Sequence, residues 1–160
     1  RLLPRPPHRL PILIGGTGPK RTLALVARYA DVWNLNSASI DMFREQSIGL
    51  DHLLREAGRQ PSDVKRTVAF PAYCWRDTHE RQRIEDALLR VPHFATIPRD
   101  TLWEVVTTQF GAVVGSPEQV TERFNGLKAA GVEEIIIQYP TIQTAEPLYP
   151  LAETVLAQFQ

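Results

Sequence analysis

The segment Leu10-Pro11-Ile12-Leu13-Ile14-Gly15-Gly16-Thr17-Gly18-Pro19-Lys20-Arg21-Thr22 passes from an unbroken apolar run, through a glycine-rich turn, into a basic, helix-forming stretch. Ile12 to Ile14 reads as a short strand buried on both faces. Glycines at 15, 16 and 18 permit positive φ and bring bare backbone close to a ligand. A helix beginning near Pro19 aims unpaired N–H groups at the same spot, where Lys20 and Arg21 add mobile positive charge. Such a junction either holds a phosphate or needs its glycines only for the geometry of a βα turn.

Outward from this junction, β-like runs alternate with helical patterns. Lys20 to Ala30 places Leu23, Val26, Ala27 and Ala30 on one face of a helix. Asp31 to Leu35 is a second strand. A long helix from Ser39 to Ala57 buries Phe43, Leu50, Leu53, Leu54 and Ala57, with Gly58 to end it. Thr67 to Tyr73 is a third strand, Asp77 to Leu89 a charged helix, Val91 to Pro98 a loop, and Arg99 to Gln109 a helix with Leu102, Val105 and Val106 inward. Ser116-Pro117-Glu118-Gln119 is a capping box with proline at the first helical position, and its helix runs on Val120, Phe124 and Leu127 to Ala130. Glu134 to Gln138 is the fourth strand, and a helix from about Glu146 to Gln158 follows.

The 160 residues, 43% of them hydrophobic, suffice for one domain with a proper core. Eighteen basic residues balance eighteen acidic ones, so nothing in the charge points to nucleic acid or an anionic membrane. The single cysteine, Cys74, excludes an internal disulfide, and the absence of a signal peptide or long apolar run makes the reading cytoplasmic. Arg1 to Arg9, with Pro4, Pro6 and Pro7, reads as a linker or truncated upstream segment, and residues 10–160 as the folded unit.

Four strand–helix repeats are the pattern of parallel βα units with right-handed crossovers. A doubly wound open sheet and part of a (β/α)8 barrel both satisfy it. The dinucleotide fingerprint fails, because Arg21 stands where a third glycine is required and no acidic residue closes a second strand at the right distance. The phosphate-loop lysine pattern fails as well, since Pro19 follows Gly18. The histidines at 8, 52, 79 and 93 lack metal-ligand spacing, and neither a metal site nor a catalytic triad is found.

Four segments taken together, Pro11 to Gly18, Leu25 to Asn34, Gly115 to Val120 and Ala130 to Ile135, resemble in order and spacing the carboxyl-terminal half of the luciferase-like monooxygenase family. The branch that uses the deazaflavin coenzyme F420 is most similar, with FMN-using relatives as the alternative. The resemblance implies a (β/α)8 barrel of which this chain supplies the fifth to eighth strands. A lone half exposes apolar strand edges and one sheet face, which predicts homodimerisation or another association that completes the barrel.

The resemblance further implies that the turn after the first strand holds the phosphate arm of the cofactor. Gly16, Thr17 and Gly18 then offer backbone N–H groups, and Lys20 and Arg21 pair with the phosphate or with the acidic tail of a deazaflavin. Asn36 and Ser37 face a small-molecule substrate as hydrogen-bonding groups, or simply make the turn into the next helix. Trp33 reads as core, and Asp31 as a cap or as the partner of a neighbouring backbone. Tyr73, Cys74, Gln138 and Tyr139 fall at the carboxyl ends of strands, the active end of such a barrel. No catalytic residue is assigned, because the acid–base groups are expected on the earlier strands. The implied function is that of part of a flavin- or deazaflavin-dependent oxidoreductase or monooxygenase. Without the resemblance, an inactive half-barrel serving as a binding module and an open-sheet binder of phosphate ligands remain open.

Overall fold

β3 (Lys65–Cys74) is the strand around which the sheet is arranged. In a computed structural model that describes residues 8–37, 39–139 and 148–159, β2 (Val32–Leu35) runs beside the first part of β3, from Val32 opposite Lys65 to Leu35 opposite Val68. β5 (Glu134–Gln138) runs beside its middle, from Glu134 opposite Thr67 to Gln138 opposite Pro71. β1 (Leu13–Gly15) pairs with the other side of β2, and β4 (Val113–Gly115) with the last three residues of β3. All pairings are parallel. The longer βα units therefore follow one another across the sheet as β1, β2, β3 and β5, the order of consecutive barrel strands.

Alternation along β3 divides the interior in two. Val68, Phe70, Ala72 and Cys74 join a core with Trp33 and Leu35 of β2, closed by α1 (Thr22–Tyr29), α2 (Ile40–Glu56) and α5 (Pro117–Ala129). Leu23, Val26, Ala27, Phe43, Leu50, Leu54, Val120, Phe124 and Leu127 are the buried stripes of those helices. Phe70 meets Phe124 edge-on, with ring centroids 6.0 Å apart. Tyr73 joins a second core with Ile84 and Leu88 of α3 (Thr78–Leu89), Phe94, and Leu102 and Val106 of α4 (Leu102–Phe110).

Helix starts follow the local chemistry of the sequence. The Ser39 hydroxyl accepts from the Met42 amide, and the Asp77 carboxylate accepts from the Glu80 amide at 2.8 Å. The predicted capping box closes reciprocally. Ser116 N–H donates to Gln119 Oε1 at 2.9 Å and Gln119 N–H to Ser116 Oγ at 3.4 Å. Gly115 makes room for it, since a Cβ there would lie 2.4 Å from Gln119 Oε1.

Several expectations are corrected. Five strands are present among the described residues, not four. β4 escapes sequence reading because three residues carry no periodicity and abut the helix signal at Ser116. The first strand is Leu13–Gly15 and is not buried on both faces: Leu13 is 53% exposed, while Ile14 on the opposite face packs against the core. The first helix starts at Thr22, two residues after the predicted Lys20. The last helix, α6, covers only Tyr149–Thr154, and the chain then tightens into a 3-10 turn over Leu156–Phe159. That turn lets Phe159 reach Phe124 as Val155 joins the core. The predicted start of this helix at Glu146 and the segment Arg1 to Pro7 lie outside the described residues. The open sheet face expected of a half-barrel is closed along β3, where Thr67 to Cys74 are all buried.

Candidate functional site

The turn after β1 is built so that its carbonyls are hydrogen-bonded within the protein. Gly16 adopts φ +132°, a conformation that side chains disfavour. Its N–H donates to the Asn34 carbonyl at 3.0 Å and its carbonyl accepts from Trp33 Nε1 at 3.1 Å. The Thr17 carbonyl accepts from Gln46 Nε2 at 2.8 Å, and the Gly18 carbonyl from Leu23 N–H at 3.1 Å. Three successive carbonyl oxygens are thereby engaged, while the amides of Thr17 and Gly18 take no part in these bonds. Gly18 is needed for the close approach of α1, since a Cβ there would lie 2.8 Å from Thr22 Oγ1.

Of the predicted phosphate contacts, Gly16 serves through its shape, because its N–H is already given to Asn34. Lys20 and Arg21 are exposed, and neither takes part in an ion pair among the described residues. Arg21 occupies the N-cap of α1 without a side-chain cap, and the first turn of the helix carries no acidic residue. Positive charge and unfilled donors therefore gather at one place.

Asn36 and Ser37 stand at the carboxyl end of β2, beside this turn. Asn36 Oδ1 accepts from Asn34 Nδ2 at 2.8 Å and its side chain is exposed. Ser37 Oγ accepts from the Ser39 amide at 3.0 Å, the local turn-making role weighed for it. Ser37 also lines a cavity of about 430 Å³ with Ser39, Val113, Gln119 and Arg123. Asn34 is the hub of this region and is 7% exposed. It accepts from Thr67 Oγ1 at 2.8 Å as well as donating to Asn36. Thr67 and Gln46 escaped sequence reading, because each acts on the site from an element distant in sequence.

Trp33 is core, stacked on Phe43 with centroids 5.8 Å apart, and its indole N–H braces the turn. Asp31 binds a neighbouring backbone: Oδ2 accepts from Ile12 N–H at 2.7 Å and Oδ1 from Arg9 at 2.6 Å. These two donors, the backbone amide first, hold its carboxyl below the usual range. Burial pushes the Cys74 thiol up, which leaves it a poor nucleophile.

A second cavity, of about 420 Å³, opens at the carboxyl ends of β3 and β5, where Tyr73, Gln138 and Tyr139 meet the segment from Val91 to Phe110. Tyr73 lies edge-on to Trp103 and 5.1 Å from Tyr139 between ring centroids. Burial, aided by Tyr139, pushes the Tyr73 hydroxyl well above the usual phenol range, so it stays neutral. Behind this wall, Glu85 accepts from Trp103 Nε1 at 2.6 Å, Arg81 at 3.0 Å and Arg99 at 3.1 Å. Burial disfavours its charge, yet these donors outweigh it and hold the carboxyl below its usual range. Among the described residues no helix is long and apolar enough to cross a membrane, and no group of three His, Cys, Asp or Glu side chains is placed to hold a metal ion.

Parallel βα units in consecutive order, with their turns gathered at the carboxyl ends of the strands, define half of a (β/α)8 barrel. The sequence profile of the luciferase-like monooxygenases matches residues 1–134, and the chain belongs to that family. Solved structures share the fold. The coenzyme F420-dependent tetrahydromethanopterin reductase of Methanopyrus kandleri superposes with a TM-score of 0.70 at 16% identity, over 94% of this chain and 51% of that one. The monooxygenase RslO1 of Streptomyces bottropensis gives 0.67 at 20% identity, over 99% and 51%. A riboflavin lyase solved with modified FMN and riboflavin gives 0.65 at 18% identity, over 92% and 42%. The chain thus spans about half the length of these structures. No curated protein matches it by sequence.

Proposed function

We propose that this chain supplies the cofactor-phosphate turn and part of the substrate wall of an F420-dependent oxidoreductase, with FMN as the alternative cofactor. The observation that carries the reading is the hydrogen-bonded engagement of the Gly16, Thr17 and Gly18 carbonyls beside two exposed cations, Lys20 and Arg21, that have no ion-pair partner among the described residues. A turn whose oxygens are occupied presents N–H groups outward, and such a surface fits a phosphate or the acidic tail of a deazaflavin. Thr17 and Gly18 give amides, Lys20 and Arg21 give charge, and Gly16 gives the bend. Asn36 and Ser37, at the neighbouring strand end, face the substrate side, with Asn34 setting the position of Asn36. When bound, the cofactor supplies hydride transfer or oxygen activation; this chain's part is to bind and orient it. No residue of this chain is assigned a catalytic proton transfer.

β1 and β5 each leave one edge unpaired among the described residues, with Ile12 45% exposed beside the first. Parallel edges of this kind are satisfied by further strands of a barrel, in a homodimer or with another polypeptide. The setting is read as cytoplasmic, where a lone unpaired cysteine is at home. Titration with F420 and with FMN, followed by fluorescence, tests the cofactor reading. Saturable binding of one of them is expected, and saturation by neither overturns it.

A further inference from the structure

We propose that the cavity between the ends of β3 and β5 and the segment from Val91 to Phe110 is a binding site for a neutral, apolar molecule of one or two rings. Its role as the substrate site of the oxidoreductase rests on the reading above; the ligand class rests on the cavity alone. The space opens to solvent and measures about 420 Å³, within the range of small-molecule sites.

The lining fixes the chemistry of the occupant. Pro71 and Tyr73 of β3 contribute one side, and Val91, Phe94, Val106 and Phe110 the other. Among the described residues no lysine, arginine, aspartate or glutamate lines the space. The carboxylate behind it, Glu85, is already held by Trp103, Arg81 and Arg99, and burial keeps the Tyr73 phenol neutral. A charged ligand would lose its hydration here with no counter-charge among the described lining residues to replace it.

The polar groups are few: the phenol hydroxyls of Tyr73 and Tyr139, and His93 and Gln138 at the rim. His93 is exposed, its ring edge-on to both Phe94 and Phe110 at 5.4 and 5.3 Å. Gln138 is exposed at the end of β5. One hydrogen-bonding group on an otherwise apolar ligand, an alcohol or a carbonyl, is what this rim accommodates.

The test titrates the full chain, without cofactor, with 4-fluorotoluene and with the similarly shaped anion 4-fluorobenzoate, both followed by fluorine NMR. Saturable binding of the neutral probe is expected, at least tenfold tighter than that of the anion. Val91→Phe fills the half-buried wall and should weaken the neutral probe at least tenfold. Gln138→Lys, an exposed change that leaves folding intact, should strengthen the anion several-fold and narrow the preference. No saturable binding of the neutral probe, equal binding of both probes, or a preference untouched by either variant would overturn the proposal. Probe binding by a chain that binds neither F420 nor FMN would remove the oxidoreductase reading and leave the apolar site standing. Cofactor binding without probe binding would remove the site alone.

Discussion

Gln46 Nε2 donates to the carbonyl oxygen of Thr17 at 2.8 Å, so that α2 fixes the orientation of a turn 29 residues earlier in the chain. The bond occupies one carbonyl of the proposed phosphate site and leaves the neighbouring amides to face a ligand. Gln46→Leu removes the donor and leaves a side chain of similar size. A net hydrogen bond is worth about 0.5–1.5 kcal/mol, so cofactor affinity should fall roughly two- to tenfold. The urea midpoint should move little, and titration alongside denaturation separates the two effects.

Lys20→Ala and Arg21→Ala remove the exposed cations beside that turn. If they bind phosphate, each loses about 1–3 kcal/mol of charge-assisted interaction, roughly 5- to 150-fold in affinity. The loss should shrink as salt is raised, since exposed charges are screened. Fluorescence titration at low and high salt checks both points, and an unchanged affinity in the two variants would leave the turn purely structural.

Phe70 is 1% exposed in the centre of β3 and packs edge-on against Phe124 of α5. Phe70→Ala should destabilise the fold by about 3–5 kcal/mol through lost burial and the cavity left behind. A urea unfolding curve reads this directly. Phe110, 37% exposed at the rim of the apolar cavity, should tolerate the same truncation far better.

Asp31 ties the segment before β1 to the start of β2 through the Ile12 amide and Arg9. Its folded carboxyl titrates below the usual range, so its contribution is present above the unfolded value and is lost as pH falls through the folded one. Asp31→Asn should therefore lower stability at neutral pH and flatten the acid limb below about pH 4. Urea midpoints at pH 7 and pH 3 for both proteins test this, and parallel acid limbs would count against it.

Much of the architecture was legible because it rests on local chemistry. Ser39, Asp77 and Ser116 start their helices as their side chains require, and β5 covers the predicted Glu134–Gln138. The errors fall where tertiary context rules. Ile12 to Ile14 has the composition of a doubly buried strand, yet Leu13 is exposed while Ile14 on the opposite face packs against the core. β4 exists because the end of β3 offers three residues a pairing partner, not because Val113–Gly115 carry a strand signal of their own.

The candidate site divides in the same way. The sequence by itself determined the βα alternation, the glycine geometry of the turn, the two cations beside it and the family resemblance, since these depend on residues adjacent along the chain. Only the tertiary structure decided which way the turn faces, because Trp33, Asn34 and Gln46 reach it from β2 and α2. It alone brought Tyr73, His93, Phe110 and Gln138 around one cavity, for no periodicity in a sequence encodes which strand end a distant loop will cover.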